Sequence, residues 1–224
     1  MRYIAVLILA LCLAQLALGQ DESQLLQETA TNYNQGSYSL ALQSIDDYLR
    51  LNSSNAVVWV SKAKIQIKLE RYSEALDSLD RAIELDSSNA EAWNNRGILE
   101  GVMGNDEEAM KSFDAALEID PNNAETWYNK GLILESMEEY DSALPALQKA
   151  TDLNPSLSKA WEHKGRVQMN LNDYQGALES FEKVTKLEPS DKDGWNNKGK
   201  ALEALGRQNE SLEAYAMAEK MPAK

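Results

Sequence analysis

Apolar and small residues recur along most of the chain in a pattern that repeats every 34 residues. All the tryptophans lie one period apart, at Trp59, Trp93, Trp127, Trp161 and Trp195. A small residue follows each tryptophan by four positions, at Ala63, Gly97, Gly131, Gly165 and Gly199. Self-similarity at a fixed period of this length predicts an array of stacked structural repeats.

Each period predicts two amphipathic helices. Around Trp93, apolar and small residues keep helical spacing first over residues 93–103 and then over residues 107–119. Turn formers separate the helices, Gly104-Asn105-Asp106 between them and Asp120-Pro121-Asn122-Asn123 after them. Because helices this short are marginal alone in water, they must pack on each other and on the next period. We expect the small residues at close helix crossings, with the tryptophans filling the neighbouring volume.

Two motifs resemble those of the tetratricopeptide repeat (TPR) family. The first-helix motif reads Ala92-Trp93-Asn94-Asn95-Arg96-Gly97, and the second-helix motif reads Tyr140-Asp141-Ser142-Ala143-Leu144. The resemblance implies an all-α fold, a right-handed superhelical solenoid of about six helix-turn-helix units. The units are expected at residues 22–55, 56–89, 90–123, 124–157, 158–191 and 192–224. In the first unit Leu25 and Thr29 replace the tryptophan and the small residue.

Composition and charge exclude several classes of function. The formal net charge of −14 argues against nucleic-acid binding, which needs a basic surface. Cys12 and His163 are the only residues of their types, so a disulfide framework, a zinc cluster and a Cys/His or Ser/His/Asp catalytic set lack the necessary residues. The sequence therefore predicts a protein that is not an enzyme and that uses no cofactor or metal.

The first 19 residues are interpreted separately from the repeats. Arg2 precedes an apolar run over residues 3–18, and small residues at Ala17 and Gly19 come before the polar Gln20. This order is typical of a secretory signal peptide cut after Gly19, although an uncleaved signal anchor has the same features. We expect an exported chain, secreted, periplasmic or at the cell surface, with membrane contact only through an uncleaved anchor.

The TPR resemblance implies that the first helices form a concave groove that binds a protein or peptide. In this chain the matching positions are Glu91, Asn94, Ile98, Glu125, Tyr128, Leu132, Glu135, Lys159, Glu162, Arg166, Met169, Asp193, Asn196 and Lys200. Any single one of these residues can equally be a solvated surface residue. Function in a repeat array nevertheless lies on its extended concave surface.

Three further features carry expectations of their own. A basic residue precedes each small first-helix residue, and this basic row consists of Lys62, Arg96, Lys130, Lys164 and Lys198. The basic row either lies with its stems along the packed surface and its charges near acids, or forms an anion-binding strip. His163 is interpreted as a polar replacement for Asn95 and Asn129, one and two periods earlier. Pro145 is expected to fray or tilt the start of a second helix.

Self-association is the alternative function. The last unit ends in the mostly apolar segment 215–221, and family members often add a further helix at this point. An uncovered apolar side can recruit a second copy of the chain. This alternative predicts an assembly module of an envelope complex, or a weak homo-oligomer formed through the C-terminal helix.

Overall fold

The described part of the computed structural model, residues 21–221, contains helices and turns but no strands. Residues 21–34 are helical and are called α1. The following helices are α2 Tyr38–Leu51, α3 Ala56–Lys68, α4 Tyr72–Leu85, α5 Ala90–Val102, α6 Asp106–Ile119, α7 Ala124–Ser136, α8 Tyr140–Leu153, α9 Ser158–Asn170, α10 Tyr174–Leu187, α11 Lys192–Ala204 and α12 Gln208–Glu219. The expected signal segment lies outside the described residues.

Consecutive helices pack as antiparallel pairs joined by tight turns, as in α3–α4, α7–α8, α9–α10 and α11–α12. The boundary between two compact units falls between Leu99 and Glu100, inside α5. We call these the N-terminal and C-terminal units. The predicted fold class, an all-α array of TPR-like helix pairs, is confirmed.

In the C-terminal unit, glycines of first helices lie directly against bulky side chains of second helices. A Cβ added to Gly131 would lie 2.7 Å from the Leu147 side chain, and one added to Gly165 would lie 2.6 Å from Phe181. At Gly199 the neighbour is Tyr215, at 2.5 Å. Real Cβ atoms essentially never approach so closely, so only glycine allows this spacing without a shift of the neighbouring side chain. The expected close crossings are therefore present.

In the N-terminal unit a different pair of residues occupies the equivalent helix crossing. There Ala63 is fully buried in a cluster with Leu79, Ala75 and Leu99. At this crossing a methyl group on the first helix is accommodated beside Leu79, whereas the same methyl group at Gly131 would lie too close to Leu147. The spacing of the helices therefore depends on how the bulky side chain is placed as well as on the size of the small residue.

Each tryptophan is fixed to the turn that precedes its helix. The indole Nε1 donates a hydrogen bond to the backbone carbonyl six residues earlier, from Trp59 to Ser53 at 2.9 Å and from Trp93 to Ser87 at 3.1 Å. The acceptors for Trp127, Trp161 and Trp195 are the carbonyls of Pro121, Pro155 and Pro189, at 2.9, 3.0 and 2.9 Å. The tryptophans therefore hold the turns between successive pairs in addition to filling volume.

Short polar side chains start most of the first helices. Asn55 accepts from the amides of Val57 and Val58, and Asp191 accepts from the amide of Gly194. Asn89 and Asn123 cap α5 and α7 in the same way. Helix α9 is the exception, because Leu157 stands at this position and makes no side-chain cap. A cap of this kind stabilises a helix by about 1 kcal/mol.

Pro145 does not fray the start of its helix, and the expected tilt stays a prediction. Helix α8 begins at Tyr140, the position equivalent to Tyr72 of α4 and Tyr174 of α10, and it continues through Pro145 to Leu153. The proline is exposed, whereas the neighbouring Ala146 and Leu147 are buried in the core. Tertiary packing of the buried face therefore keeps this first turn in place despite the missing backbone donor.

The glycine–bulky contact gives a direct test of what sets helix spacing. We expect Gly165→Ala to lower the free energy of unfolding by about 1–3 kcal/mol, because the new methyl group overlaps the Phe181 ring. Urea denaturation measures the change. The double variant Gly165→Ala/Phe181→Leu reproduces the residues found at Ala63 and Leu79. Its free energy of unfolding should fall by less than the sum of the decreases caused by the two single changes. Strict additivity would show that the two positions do not share one packing volume.

Candidate functional site

An open cavity lies on the first-helix side of the C-terminal unit, between α9 and α11. Its volume is about 440 Å³, and we call it the α9–α11 cavity. Its lining contains the predicted groove residues Glu162, Arg166, Met169, Asp193, Asn196 and Lys200. Asn170, Phe181 and Asn197 complete the lining. The structure thus brings together six of the residues that the TPR resemblance implies for the groove.

The chemistry of the α9–α11 cavity is mixed. Two carboxylates, Glu162 and Asp193, lie in the same lining as the cations of Arg166 and Lys200. Asn196 and Asn197 supply amide donors and acceptors, which suit a peptide backbone. Apolar contact area comes from Met169 and from the edge of the buried Phe181. Such a lining matches a polypeptide segment better than it matches a uniformly charged or a fully apolar ligand.

A second group of polar side chains joins α7 to α9. The Glu135 carboxylate contacts His163 Nδ1 at 2.6 Å, and its other oxygen forms an ion pair with Arg166 Nη2 at 3.3 Å. The Tyr128 and His163 rings meet edge to face, with 5.7 Å between centroids. We call Tyr128, Glu135, His163 and Arg166 the Glu135 cluster. Because the Glu135 side chain is only 11% exposed, its interactions with His163 and Arg166 are less screened than surface ion pairs.

The Glu135 cluster and the α9–α11 cavity share one residue. Arg166 bonds to Glu135 on one side and lines the cavity on the other, so the cluster fixes the position of a cavity cation. Burial raises the pKa of the Tyr128 phenol, and the nearby carboxylates Glu162 and Glu135 raise it further. Tyr128 therefore stays protonated at neutral pH and can donate a hydrogen bond.

Sequence reasoning had not placed His163 in the groove. It lies on α9, 28 residues after Glu135, and it makes the shortest contact of the Glu135 cluster. A related pair occurs in the N-terminal unit, where Lys64 bonds Glu91 across 27 residues. Oppositely charged or hydrogen-bonding residues that are 27 or 28 positions apart are therefore the signal that could have identified His163.

The remaining candidate residues fall outside the α9–α11 cavity. Glu125 and Lys159 are exposed at the starts of α7 and α9, and Leu132 is half-buried. In the N-terminal unit, Asn94 is half-buried and Ile98 is 38% exposed on α5. These positions share the first-helix phase but are not part of the α9–α11 cavity.

The basic row is largely neutralised within the chain. Each cation lies over the ring of the tryptophan three residues earlier. Four of them also bond an acid on the preceding second helix: Lys62 with Asp46 at 2.8 Å, Arg96 with Asp80 at 2.9 Å, Lys130 with Asp114 at 2.5 Å and Lys198 with Glu182 at 3.2 Å. These contacts favour a packed, paired row at four positions and oppose a continuous anion-binding strip.

Two findings concern other kinds of site in residues 21–221. No group of three or more His, Cys, Asp and Glu residues is arranged there to hold a metal ion. None of the described helices combines the length and the apolar character needed to span a bilayer.

Comparison with known proteins identifies the family. One TPR family profile matches residues 124–157, and a second matches residues 31–88, 60–124 and 163–223. The chain therefore belongs to the tetratricopeptide repeat family. It is a TPR protein-binding scaffold, and the family is non-catalytic. A search of curated proteins found no similar sequence.

Several solved structures share the fold. YrrB, described as a TPR protein with an unusual peptide-binding site, is 28% identical with a TM-score of 0.69, and the match covers 80% of this chain and 92% of YrrB. MamA from Desulfovibrio magneticus is 23% identical over 78% of this chain and 98% of MamA, with a TM-score of 0.69. A TPR protein from Parabacteroides merdae is 18% identical over 92% of this chain and 81% of its own, with a TM-score of 0.74.

The Glu135 cluster should contribute measurably to stability. We expect a double-mutant cycle of Glu135→Gln and His163→Asn to give a coupling energy of about 1–2 kcal/mol, because the shared hydrogen bond is mostly shielded from water. Asparagine is the natural choice at position 163, since it occupies the equivalent positions 95 and 129.

An exposed ion pair provides the matched control for this cycle. Arg71 and Glu74 are bonded at 2.7 Å on the surface of the N-terminal unit, and their coupling should be about 0.5 kcal/mol or less. Urea denaturation of all variants measures both couplings. A Glu135–His163 coupling no larger than that of the exposed pair would contradict the role given to the cluster.

Proposed function

We propose that the α9–α11 cavity is the main docking site of this scaffold for an extended segment of a partner protein. The observation that carries the proposal is the convergence of six period-aligned first-helix residues on one open cavity. YrrB, which shares the fold, is described as having an unusual peptide-binding site, and this supports peptides as the ligand class.

The lining indicates how a peptide would be held. Asn196 and Asn197 can pair with backbone N–H and C=O groups, which is recognition that does not depend on peptide sequence. The lining carries both signs of charge, with the cations Arg166 and Lys200 and the carboxylates Glu162 and Asp193. It would therefore select a segment that also carries charges of both signs. Because Arg166 is held by Glu135, less side-chain freedom is lost when a ligand binds it.

We further propose that the chain acts outside the cytoplasm. The support is the order of basic, apolar and small residues within residues 1–19. An exported scaffold would meet its partners in the envelope or at the cell surface.

Export has a simple test. We expect the native protein, isolated from cell fractions of its source organism, to appear outside the cytoplasm with Gln20 as its first residue. Mass spectrometry of the intact chain distinguishes this product from the uncleaved form. An extracytoplasmic chain that retains residues 1–19 would indicate the signal anchor, whereas a full-length cytoplasmic chain would contradict export.

The docking site is tested with a double change that leaves the core untouched. We expect Asn196→Ala/Lys200→Glu to reduce crosslinked capture of native partners by at least tenfold, because one backbone-binding amide and one cation of the cavity are lost. Quantitative mass spectrometry of the captured proteins measures the effect.

The matched control for this double change is Lys149→Glu, an equal change of charge at an exposed position of α8 outside the cavity. It should leave capture unchanged. Far-ultraviolet circular dichroism confirms that both variants are folded. Equal capture by the wild type and the cavity variant would refute this docking site.

A further inference from the structure

The basic row contains one position at which the pairing acid is replaced. Lys62, Arg96, Lys130 and Lys198 each bond an acid sixteen residues earlier, as Lys130 does with Asp114. Sixteen residues before Lys164 stands Gln148. The Gln148 amide donates to Asp152 at 2.7 Å and offers Lys164 no opposite charge.

Lys164 is nevertheless the most deeply placed cation of the row. Only 9% of the residue is exposed, whereas the other four are half-buried. Its Nζ lies 4.6 Å from the centroid of the Trp161 ring, nearer than any other cation of the row to its tryptophan. Burial lowers the pKa of Lys164, and the more distant charges of Asp152, Glu179 and Asp173 oppose that change only in part. An added carboxylate stabilises a buried ammonium group more than it stabilises an exposed ammonium group.

A second cation reaches the same indole. Lys183 on α10 lies 5.9 Å from the Trp161 centroid, and it is exposed. Among the tryptophans of residues 21–221, only Trp161 is contacted by two cations. The position that lacks its acid is thus also the position at which two cations share one indole ring.

We propose that Lys164, Lys183 and Trp161 form a binding site for a carboxylate carried by an acidic segment of a partner protein. The ligand class follows from the four other positions, where a carboxylate of this chain takes the same place beside a cation stacked on indole. At Lys164 that carboxylate is supplied from outside the chain. We call this the Trp161 site.

The Trp161 site is separate from the α9–α11 cavity and goes beyond the proposed function. Lys164 lies two positions from both Glu162 and Arg166 on α9, which is about 200° around the helix axis. Lys164, Lys183 and Trp161 are also not part of the cavity lining. Loss of one site therefore leaves the other unchanged, and the two proposals succeed or fail independently.

The experiment follows the Trp161 indole N–H signal by NMR in the full chain, after assignment with Trp161→Phe. The probe is a hexa-aspartate peptide blocked at both ends, with hexa-asparagine as the uncharged control and the ionic strength held constant. We expect hexa-aspartate to shift the Trp161 signal in a saturable manner and hexa-asparagine to leave it unchanged. Inorganic phosphate at the same charge concentration should produce a weaker shift. No saturable shift with hexa-aspartate, or an equal response to phosphate, would overturn the carboxylate site.

Two variants make the test specific. Gln148→Glu supplies the missing acid from within the chain, as Glu182 does for Lys198, and should weaken hexa-aspartate binding at least tenfold. Lys183→Gln, at an exposed position, should weaken it several-fold without affecting the fold. Gln148→Asn is the neutral control and should bind as the wild type does. Unchanged binding by Gln148→Glu would overturn the proposal, because the added carboxylate would then not compete for the same place.

Discussion

The close contact between small residues on first helices and bulky side chains on second helices is the constraint on which the rest of the structure depends. In the C-terminal unit the glycines at positions 131, 165 and 199 allow an approach that an added methyl group would block. Because each helix is too short to be stable alone, packing at this contact helps to hold the two helices of a pair together. Once the pair forms, the adjacent face of the first helix is held in place, and in the C-terminal unit the α9–α11 cavity lies on that face, with Phe181 in its lining.

Tryptophan connects this packing to the electrostatics of the array. The tryptophan ring lies under the cation of the basic row, and the indole N–H donates a hydrogen bond to the preceding turn. In four of five repeats the same cation also pairs with an acid of the preceding second helix. A single side chain therefore joins three segments of the chain. The same arrangement explains why a strongly acidic protein keeps a row of positive residues, since most of them act within the fold.

Much of the fold could be predicted from the sequence because it depends on a repeated pattern. The period of 34 aligned the tryptophans and the glycines, and the TPR resemblance selected six residues that line the cavity. Features that depend on particular neighbours were missed. His163 meets Glu135 only because α7 and α9 are adjacent, and Pro145 is tolerated because the buried face of α8 holds the turn. The burial of Lys164 likewise follows from side-chain packing that the sequence pattern does not encode.

The number of residues between hydrogen-bonded partners has a consequence for how the number of repeats can change in evolution. Indole bonds span six residues, the cation–acid pairs span sixteen, and the Glu135–His163 contact spans 28, all shorter than one period. Duplication or excision of one whole period would therefore bring equivalent positions together at the new junction, so that bonds shared by the repeats, such as the indole bonds, would form again. A chain built in this way can lengthen or shorten by complete repeats while substitutions at single positions, such as Gln148, give individual repeats their own chemistry.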